Sequence, residues 1–127
     1  MSKPDPSSKP TSAELDVLQV LWRIGPSSVK RVHQTMQVTR PDIPYANVLR
    51  IMQVMHSKGL LTRDESERSH VYAPAESQKA TQGTLLRELI HKAFAGSGKA
   101  LILAALHGHV SREERKEIEN LLREDEL

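Results

Sequence analysis

Residues 41–74 read Pro41-Asp-Ile-Pro-Tyr45-Ala-Asn-Val-Leu-Arg50-Ile-Met-Gln-Val-Met55-His-Ser-Lys-Gly59-Leu-Leu-Thr-Arg63, then Asp64-Glu-Ser-Glu-Arg-Ser-His70-Val-Tyr-Ala-Pro74. From about Tyr45 to Ser57 the residues divide between two sides of a helix. Val48, Met52 and Met55 line one side, flanked by Leu49 and Ile51, while Ala46, Asn47, Arg50, Gln53 and Val54 fall on the other. Pro44 suits the start of that helix, where proline's missing N–H removes nothing. Gly59 suits its end, as the left-handed residue just beyond the last turn. Leu60–Arg63 and Ser69–Tyr72 then predict the two arms of a short hairpin, with a wholly polar tip at Asp64-Glu-Ser-Glu-Arg68. Ala73-Pro74 closes the segment.

Two shorter helices are expected upstream. Thr11-Ser-Ala-Glu14 has capping-box spacing, and Leu15, Leu18, Leu21 and Trp22 follow as one apolar stripe that ends at Gly25-Pro26. Trp22 reads as core filling. Ser27 and Ser28 can cap a second helix reaching about Met36, with Val29, Val32 and Met36 inward. Gln37–Pro44 is a looser, proline-bearing connection to the third helix. Three helices followed by a β-hairpin are the sequence order of a winged helix-turn-helix, so residues 11–75 are expected to form one such domain after a floppy tail at 1–10.

Residues 76–127 predict further helices. Leu85, Leu86, Leu89, Ile90, Ala93 and Phe94 recur at helical spacing over about 77–95, and Gly96-Ser-Gly98 interrupts them. Residues 99–107 form a short helix that is apolar almost all round, Ala100-Leu-Ile-Leu-Ala-Ala-Leu106. Gly108 breaks it, and a second capping box at Ser111-Arg-Glu-Glu114 opens a last helix with Ile118, Leu121 and Leu122 inward. A helix apolar on every side needs cover on every side, and so short a chain has little to offer. The inference is a homodimer in which Leu89, Phe94, Leu101, Leu103, Leu106, Ile118, Leu121 and Leu122 meet a second copy. The fold class expected is therefore mainly α, an N-terminal winged helix with a C-terminal helical dimerisation domain.

Composition narrows the classes. The 127 residues contain no cysteine, which removes disulfides and thiolate metal sites. No apolar run approaches the ~20 residues of a membrane span, and the N-terminus has no apolar signal region. A cytoplasmic location without direct membrane insertion is expected. Residues 1–75 hold ten Lys/Arg against seven Asp/Glu, a balance of +3, and residues 76–127 hold eight against nine, −1. A basic front and a slightly acidic rear fit a DNA-contacting module joined to an assembly module.

The major groove of B-DNA admits one α-helix, whose first turns reach base edges. On the third helix those residues are Tyr45, Ala46, Asn47 and Arg50, with Gln53 a turn later. Arginine can pair bidentately with guanine, asparagine or glutamine with adenine, and the Ala46 methyl can meet a thymine methyl. Phosphate contacts are expected from Ser27, Ser28 and Lys30 at the start of the second helix, and from Arg63 and Arg68 on the hairpin. His107-Gly-His109 is the one close histidine pair, with His91 elsewhere. Zinc usually takes roughly three or four ligands, so no metal site or cofactor is expected. His33, His56 and His70 read as surface or hairpin residues. No catalytic or phosphate-loop motif is present, and Glu113, Glu114, Glu117 and Glu119 form a solvated face, so the chain is not expected to be an enzyme.

Leu15-Asp-Val-Leu-Gln-Val-Leu-Trp22, Gly25-Pro-Ser-Ser-Val-Lys-Arg-Val-His33, Pro44-Tyr-Ala-Asn-Val-Leu49, Lys58-Gly-Leu-Leu-Thr-Arg63 and His70-Val-Tyr-Ala-Pro74 together resemble the penicillinase-repressor family. That family includes the β-lactamase, methicillin-resistance and copper-transport repressors, and the likeness covers about residues 11–124. It implies a homodimeric repressor that binds a palindromic double-stranded DNA operator. In the antibiotic-responsive branch it also implies a membrane sensor-protease as an indirect partner, and a cut that would fall here near Ala104-Ala105. Ala46-Asn47 stand where the pattern has two threonines, which bears on operator preference. Gln53-Val54 replace a basic pair. The Asn-Phe pair of the cleaved repressors is missing, which speaks against proteolytic control, and the copper branch's cysteines are absent. Two other classes stay open on the residues alone: a winged-helix protein-interaction module with no DNA role, and a metal- or ligand-sensing regulator using His91, His107 and His109.

Overall fold

Thr11 and Glu14 start the first helix by serving each other's backbone. In the computed structural model, which describes residues 9–125, Thr11 N–H donates to Glu14 Oε1 at 2.9 Å and Glu14 N–H donates to Thr11 Oγ1 at 3.2 Å. Residues 1–8 of the expected tail lie outside the described residues. Helix α1 runs Ser12–Ile24 and stops at Gly25, where φ is 86°. Helix α2, Val29–Gln37, is capped by Ser28, whose Oγ accepts from Arg31 N–H at 3.2 Å. Helix α3 spans Tyr45–Ser57, the range its periodicity predicts. It closes in a Schellman arrangement: Leu60 N–H donates to Met55 O at 2.8 Å and Gly59 N–H to His56 O at 3.1 Å, with Gly59 at φ 82°.

Strands β1, Leu61–Asp64, and β2, Val71–Pro74, pair antiparallel with Leu61 opposite Pro74 and Arg63 opposite Tyr72. The arms therefore sit one and two residues later than expected. The shift has a cause that the hairpin alone does not reveal. Tyr72 N–H donates to Ser27 O at 2.8 Å, and Ser27 N–H donates to Tyr72 O at 3.0 Å. This bridge makes the α1–α2 loop a third arm of the sheet and fixes where β2 must lie, leaving Ser69 and His70 in the turn.

Val17, Leu18, Leu21, Val32, Val48, Met52 and Met55 form the centre of the core, each no more than 2% exposed, closed off by Leu61 and Tyr72. The inner face of α2 (Val29, Val32, Met36) and that of α3 are as their spacing predicts. The stripe on α1 is not. Val17 and Val20 are buried while Leu15 and Trp22 are only half-buried, because the helix is rotated to bring Glu14 inside. Glu14 is 4% exposed and accepts Lys58 Nζ at 3.0 Å on both carboxylate oxygens. A carboxylate is tolerated there because a cation meets it. The pair ties the beginning of α1 to the residue that ends α3.

The chain divides into two compact units between Gln82 and Gly83, within helix α4, Gln78–Ala93. Sequence reasoning places the division at 75/76. Ala95 and Gly96, both at positive φ, turn the chain. Ser97 Oγ then caps α5, Gly98–Leu106, by accepting from Ala100 N–H at 3.0 Å. Gly98 thus opens this helix one residue before its expected start. Helix α6, Arg112–Asp125, starts with the expected box: Ser111 N–H to Glu114 Oε1 at 2.9 Å, and Glu114 N–H to Ser111 Oγ at 3.1 Å. None of the described side chains of α4, α5 and α6 is buried.

Candidate nucleic-acid interface

Because Val48, Met52 and Met55 are wholly buried, the opposite side of α3 faces outward. Tyr45, Ala46, Asn47, Arg50 and Gln53 are all exposed, as are Val54 and Ser57. At 100° per residue Arg50 lies near the middle of that side, with Ala46, Val54 and Ser57 close around it and Asn47 and Gln53 about 60° to either side. The side chains of Asn47, Arg50 and Gln53 have no hydrogen-bond or ion-pair partner among the described residues. Donors left unoccupied on a helix surface are available to a ligand.

His33 positions the start of this helix. Its Nε2 lies 2.8 Å from Ile43 O, to which it donates, and its ring meets Tyr45 edge-on at 5.5 Å. One side chain of α2 thereby holds both the connection and the first residue of α3. His56 likewise packs edge-on against Tyr72 at 6.4 Å. Neither histidine is the plain surface residue that the sequence suggests. No group of three or more metal-ligating side chains occurs among the described residues.

The expected phosphate contacts divide. Ser28 and Lys30 sit at the first turn of α2, where N–H groups point outward, and Arg31 beside them is exposed and without an ion-pair partner among the described residues. Ser27 is a correction. It is 3% exposed and its Oγ donates to Gly25 O at 2.8 Å, so its hydroxyl serves the loop and not the surface. On the hairpin, Arg63 is held by Glu65, through Nε at 3.1 Å and Nη2 at 2.9 Å, and lies 6.0 Å from the centre of the Tyr72 ring. The Arg63 guanidinium keeps the Glu65 carboxyl below its usual range. Residues 63–68 carry two arginines and three carboxylates, a balance of −1. Arg68 is the exposed cation of that turn.

Fold and face together define a winged helix-turn-helix protein that presents α3 as its outward helix. The chain belongs to the penicillinase repressor family, whose sequence profile matches residues 10–124. Two curated relatives, each named Transcriptional regulator BlaI, come from Mycobacterium tuberculosis strains CDC 1551 / Oshkosh and ATCC 25618 / H37Rv. Each is 28% identical over 92 residues, 71% of this chain and 66% of the relative. The chain thus matches just under two thirds of the length of these relatives.

Proposed function

We propose that this protein is a transcriptional repressor that reads an operator in double-stranded DNA with the outward face of α3 and acts as a homodimer on a palindromic site. The observation that carries the reading is that face: Arg50 at its middle, Asn47 and Gln53 nearby, all unpartnered, on a helix whose other side is fixed in the core. Ser28, Lys30 and Arg31 would anchor the phosphate backbone beside it, with Arg68 on the hairpin and Arg63 only after it leaves Glu65. Family membership supports the same reading.

The second unit supplies the argument for pairing. Leu86, Leu89, Ile102, Leu103, Leu121 and Leu122 are each 47–60% exposed, and Phe94, Leu101, Leu106 and Ile118 are half-buried. A second copy covering these residues would supply the cover that the described residues do not give them. Ala104 and Ala105 lie inside α5, so a protease would need that helix unwound before it could cut there. Derepression by a dissociating signal follows from a dimer of this kind, whatever the signal.

Titration of the protein against its own promoter region at two salt concentrations tests the reading. Specific binding that weakens as salt rises is expected, and binding without sequence preference at either salt would refute it. Arg50→Ala should weaken binding to the preferred site by about 1–3 kcal/mol. An equal loss on random DNA would reassign Arg50 to phosphate.

A further inference from the structure

Val54 is an apolar, β-branched side chain 43% exposed on the outward face of α3. The core has no use for it, since Val48, Met52 and Met55 fill the opposite side completely. Exposed valines are common, and exposure alone carries nothing. Its neighbours do: Val54 stands one turn beyond Arg50 and one turn before Ser57, both exposed. An apolar group beside Arg50 on a polar reading face, about 40° from its middle, has a natural counterpart in the major groove. Most base-edge groups there are hydrogen-bond donors or acceptors, and the C5-methyl of thymine is the one methyl group among them.

Resting on the DNA-reading function above, we propose that Val54 is a specificity-determining residue that seats against the C5-methyl of a thymine. Four residues along a helix advance about 6 Å, which is roughly two base-pair steps. The thymine therefore falls within about two base pairs of the base that Arg50 reads. In a helix, valine holds one χ1 rotamer roughly 90% of the time, so its methyls are in place before binding.

The test uses the full chain and a duplex enriched from a random library. Each thymine is replaced in turn by deoxyuridine, which lacks only the C5-methyl. The wild type should lose about fourfold in affinity at one thymine of each half-site, the worth of one buried methyl-sized group. Val54→Ala should bind the thymine duplex about as weakly as the wild type binds the deoxyuridine duplex. It should also be indifferent to that one replacement while responding to the others as the wild type does. If Val54→Ala keeps the full penalty at every thymine, or if no replacement affects the wild type, the Val54 assignment is overturned and the DNA-reading function stands. If the wild type enriches no sequence at all, the DNA-reading function fails and takes this assignment with it.

Discussion

Glu14 and Lys58 hold the outward helix in place, and their removal makes a sharp test. Glu14 is the acceptor for Thr11 N–H at 2.9 Å and for Lys58 Nζ at 3.0 Å, with side-chain exposures of 5% for Glu14 and 34% for Lys58. Glu14→Ala removes half of a capping box, about 1 kcal/mol. It also removes a charge pair lying between the exposed case, about 0.2–1 kcal/mol, and the fully buried one, about 3–5 kcal/mol. Lys58 can swing into water once abandoned, so about 1–2 kcal/mol is expected for the pair. The total is about 2–3 kcal/mol. With a urea slope of about 1 kcal/mol/M for a unit of this size, the midpoint should fall by about 2–3 M.

Lys58→Met removes the pair and keeps the cap. Urea titrations of Glu14→Ala, Lys58→Met and the double variant separate the two contributions. The double variant should be little worse than Glu14→Ala alone, a coupling of about 1 kcal/mol or more. A coupling below about 0.3 kcal/mol would mean that the two residues act independently, and the idea that they fasten α1 to the end of α3 would be wrong. DNA affinity offers a second readout, since a loosened α3 should bind its site less well while retaining its base preference.

Gly59→Ala places a side chain at φ 82° and should destabilise the fold by about 1–2 kcal/mol in the same titration, with Gly59→Asn costing less. At the start of α6, the bonds from Ser111 hold the Glu114 carboxyl below its ordinary 4.5. A depressed carboxyl stabilises above its unfolded value and ceases to do so as pH falls through its folded one. The first turn of α6 should therefore fray in acid below about that ordinary range, seen as faster amide exchange, and Glu114→Gln should abolish the pH dependence. Leu121→Asp with Leu122→Asp, at positions 60% and 59% exposed, should leave the helical signal of a single chain intact and shift sedimentation from dimer to monomer. A wild type that sediments as a monomer at high concentration would refute the pairing itself.

The elements that sequence reasoning located well are those whose signals are local. Both capping boxes, the span of α3 and the left-handed Gly59 each depend on residues within a few positions of one another, and all occur as their spacing predicts. The misplacements came from distant partners. The stripe expected on α1, Leu15, Leu18, Leu21 and Trp22, takes only apolar residues, whereas the buried side of the helix includes Glu14. The charge that admits it to the core, Lys58, comes 44 residues later. The hairpin arms slipped because Tyr72 is registered by Ser27, a strand contact that a single residue in a loop does not advertise.

The same division applies to the surface on which the candidate site is built. The outward face of α3 is a surface periodicity on one helix, so the exposure of Arg50, Asn47 and Gln53 follows from the pattern alone. A phosphate contact depends on which polar atoms the fold leaves unused, and that is a property of the whole unit. Ser27 and Ser28 are adjacent and chemically identical, yet one is spent inside on Gly25 O while the other caps α2 at the surface. Arg63 and Arg68 both belong to the hairpin, yet one is already paired with Glu65. The order in which these groups could engage DNA follows: Arg63 must exchange a carboxylate for a phosphate, which gains little net charge interaction, whereas Lys30, Arg31 and Arg68 give up only water. The salt dependence of binding should therefore be governed by the start of α2 more than by the wing, and Lys30→Ala should flatten it more than Arg63→Ala does.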